Sequence, residues 1–403
     1  MPVARETEAG TRAGSVAKRP VTVEEVPLGD PRIKEFERLP WRLYKGDPHW
    51  TPPLRMDLLG NKLLKVDGLL TPDHPYHRYA DVTHFLARRG RRVVGRISVA
   101  VNHRYNEYYD SRIANFGFFE CEDDEQAAHA LFDAAADWAR EHGMDTLRGP
   151  GEYSNATHER QGLLIDGFDT DPTVELTHNP PYYQRLVESY GFTKAMDYHA
   201  YLLDVNAPEN PRLRRAARLI RERRDIKTRT VDMKRFVEDV RQVITIYNEA
   251  WARNWGFLPI TQEEADILAE TLKPIIDPGL VRFAYVDGEA AAVLGAFPDP
   301  NWALKPRWGL AGDSDAVRIA RLLRMRKRIP RVRLMFFGIR PGYRRLGIDA
   351  VLFEEVLDYA RSRGVEECDI SMLLDNNDLI IRASEFMGAK RYKTWRIYDL
   401  PLG

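Results

Sequence analysis

Residues 344–349, Arg-Arg-Leu-Gly-Ile-Asp, combine residue types that bind phosphate. They follow an apolar run at residues 334–339 and precede a helical pattern. The first backbone N–H groups of a helix have no intrahelical acceptor and carry partial positive charge. A glycine in that turn lets a phosphate approach the backbone, and neighbouring arginines neutralise it. Asp349 departs from this pattern, so the stretch predicts either an anion site or a turn that only caps a helix.

The elements that must position this turn recur along the 403 residues. The order helix, hairpin, strand, helix, strand, helix, strand is predicted twice, which indicates two copies of one α/β unit. A chain of this length is expected to form two domains of roughly 170–200 residues each. We predict a disordered tail at 1–20, an N-terminal unit at 21–207, a basic helical linker at 208–230 and a C-terminal unit at 231–403.

The element order resembles that of the GNAT superfamily of acyl-CoA-dependent N-acyltransferases. The family's acyl-CoA loop, Arg/Gln-x-x-Gly-x-Gly/Ala, matches residues 344–349 at every position except Asp349. The resemblance covers residues 231–403 well and residues 21–205 through the repeat alone. Segments such as "YNEAWARNWGFLPITQEE" and "YRRLGIDA" are similar to tandem-GNAT proteins, a group that includes bacterial ceramide-synthase-like N-acyltransferases. The resemblance implies an α/β fold of two tandem GNAT-like mixed-sheet units with helices on both faces.

The resemblance also implies where acyl-CoA or acetyl-CoA would bind as the acyl donor. The pantetheine arm would run beside the strand before the turn, and the pyrophosphate would lie over the turn itself. The implied binding residues are Phe337, Gly338, Ile339, Arg344, Arg345, Leu346, Gly347, Ile348 and Asn377. The family's usual tyrosine general acid is replaced by Ser384, so Tyr392 or Tyr343 would have to substitute for it.

Candidates for the remaining chemistry come from three places. The polar loop at 149–168 offers Glu159 or His158 as a base for the amine, although it also fits a solvent-exposed loop with turn glycines. Asn254, beside two tryptophans, is expected to contact the substrate or CoA. Side chains alternate between the two faces of a predicted strand at 366–373, so Ser371 faces either the cleft or solvent.

The first copy carries four acidic residues, 122–125, at the place that corresponds to the phosphate turn. Carboxylates are good helix caps and poor receptors for phosphate. We therefore predict that the first unit does not bind CoA and instead shapes the substrate site.

Charge and composition exclude several other classes of function. Sixty basic and sixty acidic residues give no net charge, and no nucleic-acid motif is present, so no nucleic-acid partner is expected. The ten histidines have no metal-ligand spacing, and we expect no metal. Two distant cysteines and the absence of a long apolar run indicate a cytoplasmic protein.

One basic segment suggests a membrane contact. Residues 318–333 hold eight Lys or Arg and no acid, interleaved with apolar residues and preceded by Trp302 and Trp308. This is typical of a solvated helix face, of a grip on the 3′-phosphate of CoA, or of a peripheral helix at the inner membrane face. The interfacial interpretation fits the tryptophans best.

The sequence leads to two functional hypotheses. The first is N-acylation of an amine by acyl-CoA, the amine being a small molecule or a lipid such as a sphingoid base and the acyl chain long or, in a plain acetyltransferase, short. The second is a catalytically silent tandem-GNAT protein that binds a ligand, which Asp349, Ser384 and the acidic first turn favour.

Overall fold

A computed structural model describes residues 19–153, 160–208, 210–273, 276–308 and 313–403. Within these residues the chain forms thirteen β-strands and twelve α-helices. In chain order the elements are β1 (Val21–Glu25), α1 (Ile33–Leu43), α2 (Arg55–Leu59), β2 (Ala80–Arg89), β3 (Arg92–Asn102), α3 (His103–Tyr109), β4 (Ile113–Cys121), α4 (Glu125–Glu141), β5 (Thr146–Gly151), β6 (Leu163–Asp166), α5 (Tyr182–Glu188), β7 (Thr193–Asp204), α6 (Pro211–Arg223), β8 (Ile226–Thr230), α7 (Phe236–Trp251), α8 (Gln262–Leu272), β9 (Val281–Val286), β10 (Glu289–Pro298), α9 (Asn301–Leu304), α10 (Asp315–Met325), β11 (Arg331–Ile339), α11 (Ile348–Ser362), β12 (Glu367–Leu374), α12 (Asp378–Phe386) and β13 (Lys390–Pro401).

All thirteen strands of the described chain join one continuous sheet. Its order is β1-β2-β3-β4-β5-β13-β7-β12-β11-β10-β9-β8, and β6 pairs with β13 beside this path. The β4–β5 and β11–β12 pairs are parallel, and the other pairs are antiparallel. The mixed α/β fold and its repeated element order are as the sequence predicts.

The two halves exchange their last strands at the centre of the sheet. β7, which ends the first half, pairs with β12 of the second half. β13, which ends the second half, pairs with β5 of the first half, and β7 and β13 pair with each other. Residues 210–230, within the predicted linker, hold α6 and β8, and β8 forms the far edge of the sheet. The division of the chain into units at 21–207 and 231–403 with a linker at 208–230 remains a prediction.

Each half has apolar cores on both faces of the sheet. The alanine-rich helix α4 buries Leu131 and Phe132 completely against the first half. In the second half α11 buries Ile348 and Leu352 in the same way, with α6 packed beside it. Full burial of one such side chain contributes about 1.5–3 kcal/mol, so these faces hold the helices on the sheet.

The parallel strands β11 and β12 part midway along their length. Their pairing runs from Arg331 opposite Glu367 to Leu334 opposite Ile370 and then stops. Beyond that point β11 stays paired with β10, and β12 stays paired with β7, so the two strands diverge. Met372, just past the last pair, has a left-handed backbone with φ of 57° and a register shift beside it. The gap between the strands is the mouth of the cleft described below.

In the described part of the chain no helix is long and apolar enough to cross a membrane.

Candidate active site

A cleft of about 650 Å³ opens where β11 and β12 part. The turn before α11 lies at one end, and residues of the first half close the other end. The C-terminal part of α7 and the start of α12 form its sides. The site therefore draws on both halves of the chain.

The turn before α11 presents the predicted phosphate-binding residues. Arg344 and Arg345 both line the cleft. Arg345 and Gly347 have left-handed backbones, with φ of 66° and 78°, and Gly347 is the N-cap residue of α11. The cleft therefore lies at the N-terminus of α11, where a phosphate would accept hydrogen bonds from the first backbone N–H groups of the helix.

Asp349 also lines the cleft, beside the two arginines. It lies in the first turn of α11, but no side chain caps that helix. Its carboxylate therefore shares the end of the cleft in which a pyrophosphate would lie. A carboxylate in this position lowers the affinity for an anion and leaves the two guanidinium groups as the main attraction.

The other residues implied by the family differ in whether they line the cleft. Phe337, Gly338, Ile339 and Asn377 line the cleft. Leu346 packs against the core of the second half and Ile348 is fully buried in it, so each can offer only its backbone to a ligand.

Helix α7 is bonded to the exposed edge of β11. The Trp251 Nε1–H donates to the Phe337 carbonyl at 2.9 Å, and Arg344 Nη2 donates to the Ala250 carbonyl at 2.7 Å. A Cβ atom on Gly338 would lie 3.1 Å from the Ala250 Cβ, so this glycine allows the close approach of α7. These contacts hold one wall of the cleft against the strand.

The opposite end of the cleft contains residues that sequence reasoning missed. Gln161 and Glu175, both from the first half, line it together with Arg333 and Ser371. The only signal in the sequence is that Glu175 is a single carboxylate between Val174 and Leu176. Nothing in the spacing connects it with β11, more than 150 residues later.

The predicted catalytic residues have different outcomes. Glu159 and His158 lie outside the residues that the structure describes. Asn254 and Ser371 both line the cleft, and their roles remain a prediction. The Ser371 hydroxyl accepts a hydrogen bond from Arg333 Nε at 3.0 Å, so it holds this guanidinium in place.

The substitutes for the usual tyrosine acid are engaged elsewhere. The Tyr392 hydroxyl donates to the buried Asp369 carboxylate, and the Tyr343 ring packs against the Arg340 guanidinium. Ser384 is fully buried and donates to the Ile380 carbonyl at 2.8 Å. Two other tyrosines, Tyr198 and Tyr247, line the cleft, and burial raises the pKa of both hydroxyls.

The corresponding turn of the first half is filled with ion pairs. Asp124 bonds to Arg89 through two contacts of 2.6 and 2.9 Å. Glu122 pairs with Arg42 and Arg92, and Arg185 pairs with Asp123 and Glu125. Beside its own parallel strands this half has a small cavity of about 120 Å³. Carboxylates and their partner arginines thus occupy the position at which the second half has Arg344 and Arg345 lining the cleft.

The small cavity has a buried polar lining. Glu120 accepts hydrogen bonds from the hydroxyls of Tyr44 and Tyr183 at 2.8 and 2.7 Å, and Arg96 lies 3.8 Å away. Burial raises the pKa of Glu120, and burial also raises the pKa of Glu152, on the same cavity, to about 6. Among the described residues no three His, Cys, Asp or Glu side chains cluster as a metal site would require.

The basic segment is not one uniform surface. Arg318 of α10 is completely buried and donates to the carbonyls of Leu304, Pro52 and Pro53, and Arg333 lies in β11. Exposed apolar side chains remain on this side of the molecule: Trp302 (43%), Val317 (42%) and Leu323 (53%).

Comparison with known proteins gives two curated relatives that span most of the chain. No protein-family model matches it. It is 34% identical over 385 residues to the bacterial ceramide synthase of Caulobacter vibrioides (strain NA1000 / CB15N). This match covers 94% of this chain and 97% of that protein. It is 29% identical over 376 residues to Protein YghO of Escherichia coli (strain K12), with coverage of 91% and 92%.

The fold has a counterpart among solved structures. A tandem GNAT protein from the clavulanic acid biosynthesis pathway matches with a TM-score of 0.53 at 14% identity, over 95% of this chain and 99% of that one. At this identity the likeness concerns the fold, including its two-unit arrangement.

Proposed function

The chain belongs to the GNAT superfamily of N-acyltransferases, as a tandem-GNAT protein in the family of the Caulobacter ceramide synthase, and we propose that it acylates a lipid amine from acyl-CoA. The acceptor in this proposal is a sphingoid base or a related long-chain amine. The name of the Caulobacter relative supports the lipid acceptor. The observation that carries the proposal is the cleft between β11 and β12, with two arginines at one end and first-half residues at the other.

The residues present fit acyl-CoA as the donor. Arg344, Arg345 and the first N–H groups of α11 would hold the pyrophosphate. The edge of β11 at Phe337–Ile339, with which β12 does not pair, would lie along the pantetheine arm. When bound, acyl-CoA supplies a thioester carbonyl that an amine can attack. The new C–N bond replaces the C–S bond, and the thiolate takes a proton as it leaves.

We assign the general acid to one of the two cleft tyrosines, Tyr198 or Tyr247. Both hydroxyls stay protonated at neutral pH because burial raises their pKa. A protonated phenol beside a departing thiolate can donate its proton. Replacement of each by Phe in turn should lower kcat about 10- to 100-fold for one tyrosine only, with unchanged affinity for CoA.

The test is a direct assay of the full chain. Release of CoA thiol and formation of an amide, detected by mass spectrometry, are measured with acetyl-CoA and palmitoyl-CoA against a long-chain 2-amino-1,3-diol and a small amine. Faster transfer from palmitoyl-CoA to the diol amine is expected. Transfer of acetyl groups to the small amine alone would replace the lipid proposal with a plain acetyltransferase.

A silent ligand-binding protein is the second candidate, and Asp349 at the phosphate end of the cleft favours it. Calorimetric titration with free CoA separates the two. Binding that is lost in the Arg344→Ala/Arg345→Ala double variant supports the donor site. Absence of CoA binding to the unaltered chain would remove the enzyme proposal.

We also propose peripheral contact of this side of the molecule with anionic lipid at the inner membrane face. The exposed Leu323 and Val317 of α10 lie among exposed basic residues at Arg324 and 326–328. Apolar side chains inserted between lipid headgroups, with cations beside them, give binding that weakens as salt rises. Vesicle sedimentation of the wild type and Leu323→Asp should show this, with Leu63→Asp, on another loop, as the comparison.

A further inference from the structure

The wall of the cleft that comes from the first half is held by contacts with the second half. The Asp299 carboxylate accepts the Val174 N–H at 2.9 Å, and Arg333 donates to the Val174 carbonyl. Asn301 Nδ2 donates to the Pro172 carbonyl at 3.2 Å, and Arg331 donates to the Asp171 carbonyl at 3.2 Å. The segment 171–174 is therefore fixed before it reaches the cleft.

Glu175, the next residue, has a strained backbone. Its φ is 62°, in the left-handed region that is unfavourable for a non-glycine residue. Such strain persists only when the surroundings impose it, and it concentrates at functional sites. Here the polar contacts of segment 171–174 impose it, and the result is that Glu175 lines the cleft.

Two acceptor atoms at this end have no donor. Glu175 Oε2 and Gln161 Oε1 are shielded from solvent and have no hydrogen-bond partner among the described residues. The Glu175 side chain is 37% exposed overall, so its other atoms reach the open cleft. Arg333 Nη1 lies 3.6 Å from Oε2, beyond hydrogen-bond range, because Ser371 and the Val174 carbonyl engage this guanidinium.

Buried acceptors without a hydrogen bond destabilise the free protein, and a bound donor would recover this free energy. A primary ammonium offers several N–H donors and a positive charge, which match a carboxylate and an amide oxygen. The location of these two side chains also suits an acceptor amine, because both lie at the end of the cleft opposite the turn proposed to bind pyrophosphate.

We propose that Glu175 and Gln161 form the binding subsite for the acceptor ammonium, and that Glu175 is the base that takes its proton. This inference rests on the proposed function. The neutral amine then attacks the thioester carbonyl, the C–N bond forms and the C–S bond breaks. The cleft tyrosine donates its proton to the departing sulfur and regains a proton from the second N–H of the amine. Glu175 afterwards releases its proton to solvent.

The charges around Glu175 suit this role. Burial raises the pKa of Glu175, while Arg333 on β11 and Arg160 on the neighbouring segment lower it. The net effect is a carboxylate with increased proton affinity, as a base for an ammonium group requires.

Glu152 provides a matched control. It is also a buried carboxylate with a raised pKa, but it lines the small cavity of the first half. Residues 160–162 and 175–177 form a thin partition, since Arg160, Gly162, Leu176 and Thr177 face the small cavity while Gln161 and Glu175 face the cleft. A Glu-to-Gln change at either position preserves side-chain size.

The experiment compares the full-length wild type, Glu175→Gln and Glu152→Gln. Kinetics with palmitoyl-CoA and a long-chain amine should show kcat/KM reduced about 10²- to 10⁴-fold in Glu175→Gln, the range for loss of a general base. The affinity for free CoA should be unchanged. The acidic limb of the pH–rate profile should disappear in this variant, while Glu152→Gln stays within about threefold of the wild type. Wild-type kcat/KM in Glu175→Gln across the pH range would overturn the assignment.

A binding measurement separates this inference from the proposed function. Octylamine and octanol are titrated into each protein in the presence of free CoA. Binding of octylamine, but not octanol, that is lost in Glu175→Gln and reduced in Gln161→Ala supports the subsite, even if the wild type transfers no acyl group. Equal binding of octylamine to wild type and Glu175→Gln overturns it, and melting temperatures identify any variant that fails to fold.

Discussion

Removal of the Asp349 carboxylate should strengthen the binding of CoA. Asp349 lines the same end of the cleft as Arg344 and Arg345, in the first turn of α11. A unit charge at roughly 7 Å from each of two phosphate charges, in a largely solvated site with physiological salt, costs about 0.5–1 kcal/mol in total. We therefore expect Asp349→Ala to lower the Kd for CoA about two- to fivefold.

The same change should destabilise the protein slightly. A carboxylate in the first turn of a helix contributes about 0.3–1 kcal/mol through the helix dipole, and this contribution is lost in the variant. Binding and stability therefore move in opposite directions, which a general loss of structure would not produce. Asp349→Asn, which keeps the side-chain size, should give the same gain in affinity.

Calorimetric titration of CoA at 50 mM and 500 mM salt is the appropriate assay. The advantage of Asp349→Ala should be largest at low salt, because salt screens exposed charges. Unchanged or weaker CoA binding in the variant, at both salt concentrations, would refute the reasoning. It would mean that this carboxylate contacts another part of the ligand.

Three further outcomes are expected. Gly338→Val should lower the free energy of unfolding by about 1–3 kcal/mol in urea titrations, because its Cβ would lie 3.1 Å from Ala250; equal stability would show that α7 can shift. Trp251→Phe deletes the N–H that is bonded to the Phe337 carbonyl. This variant should have a clearly changed affinity for CoA and a nearly unchanged melting temperature. Burial raises the pKa of Asp299 to about 7 from 3.8, so its stabilising effect is present below pH 4 and lost as the pH rises to about 7. Asp299→Asn should therefore melt higher than the wild type at pH 8 but not at pH 4, and an equal loss at both would contradict this.

The sequence predicted the parts of the site that depend on local order. The strand, turn and helix around Arg344 follow from an apolar run, a glycine and a periodic pattern, and the structure places them as predicted. Asp349 was recognised as the departure, but only the fold shows that it faces the cleft. Local patterns fix which residues form a turn, whereas the direction of one side chain depends on packing.

The acceptor end of the cleft could not be predicted, for a different reason. Gln161, Glu175 and Arg333 line one cleft because strands from the two halves of the chain meet at the centre of the sheet. No hydrophobic periodicity or residue spacing in the sequence indicates that these strands become neighbours. Asp299 and Arg333, which fix the segment before Glu175, are likewise defined by tertiary contacts more than 120 residues apart.

The crossed strands at the centre of the sheet have a consequence for how such a protein arose. Exchange of an identical terminal element between two copies is the geometry of a domain-swapped dimer. A single ancestral unit whose last strand completed its partner's sheet would form this same sheet from two chains, and gene fusion would then tie them together. On this view each half needs the other to complete its sheet. Residues 19–208 and 210–403 produced as separate chains should reassemble when mixed, and each alone should expose an unpaired strand edge and aggregate.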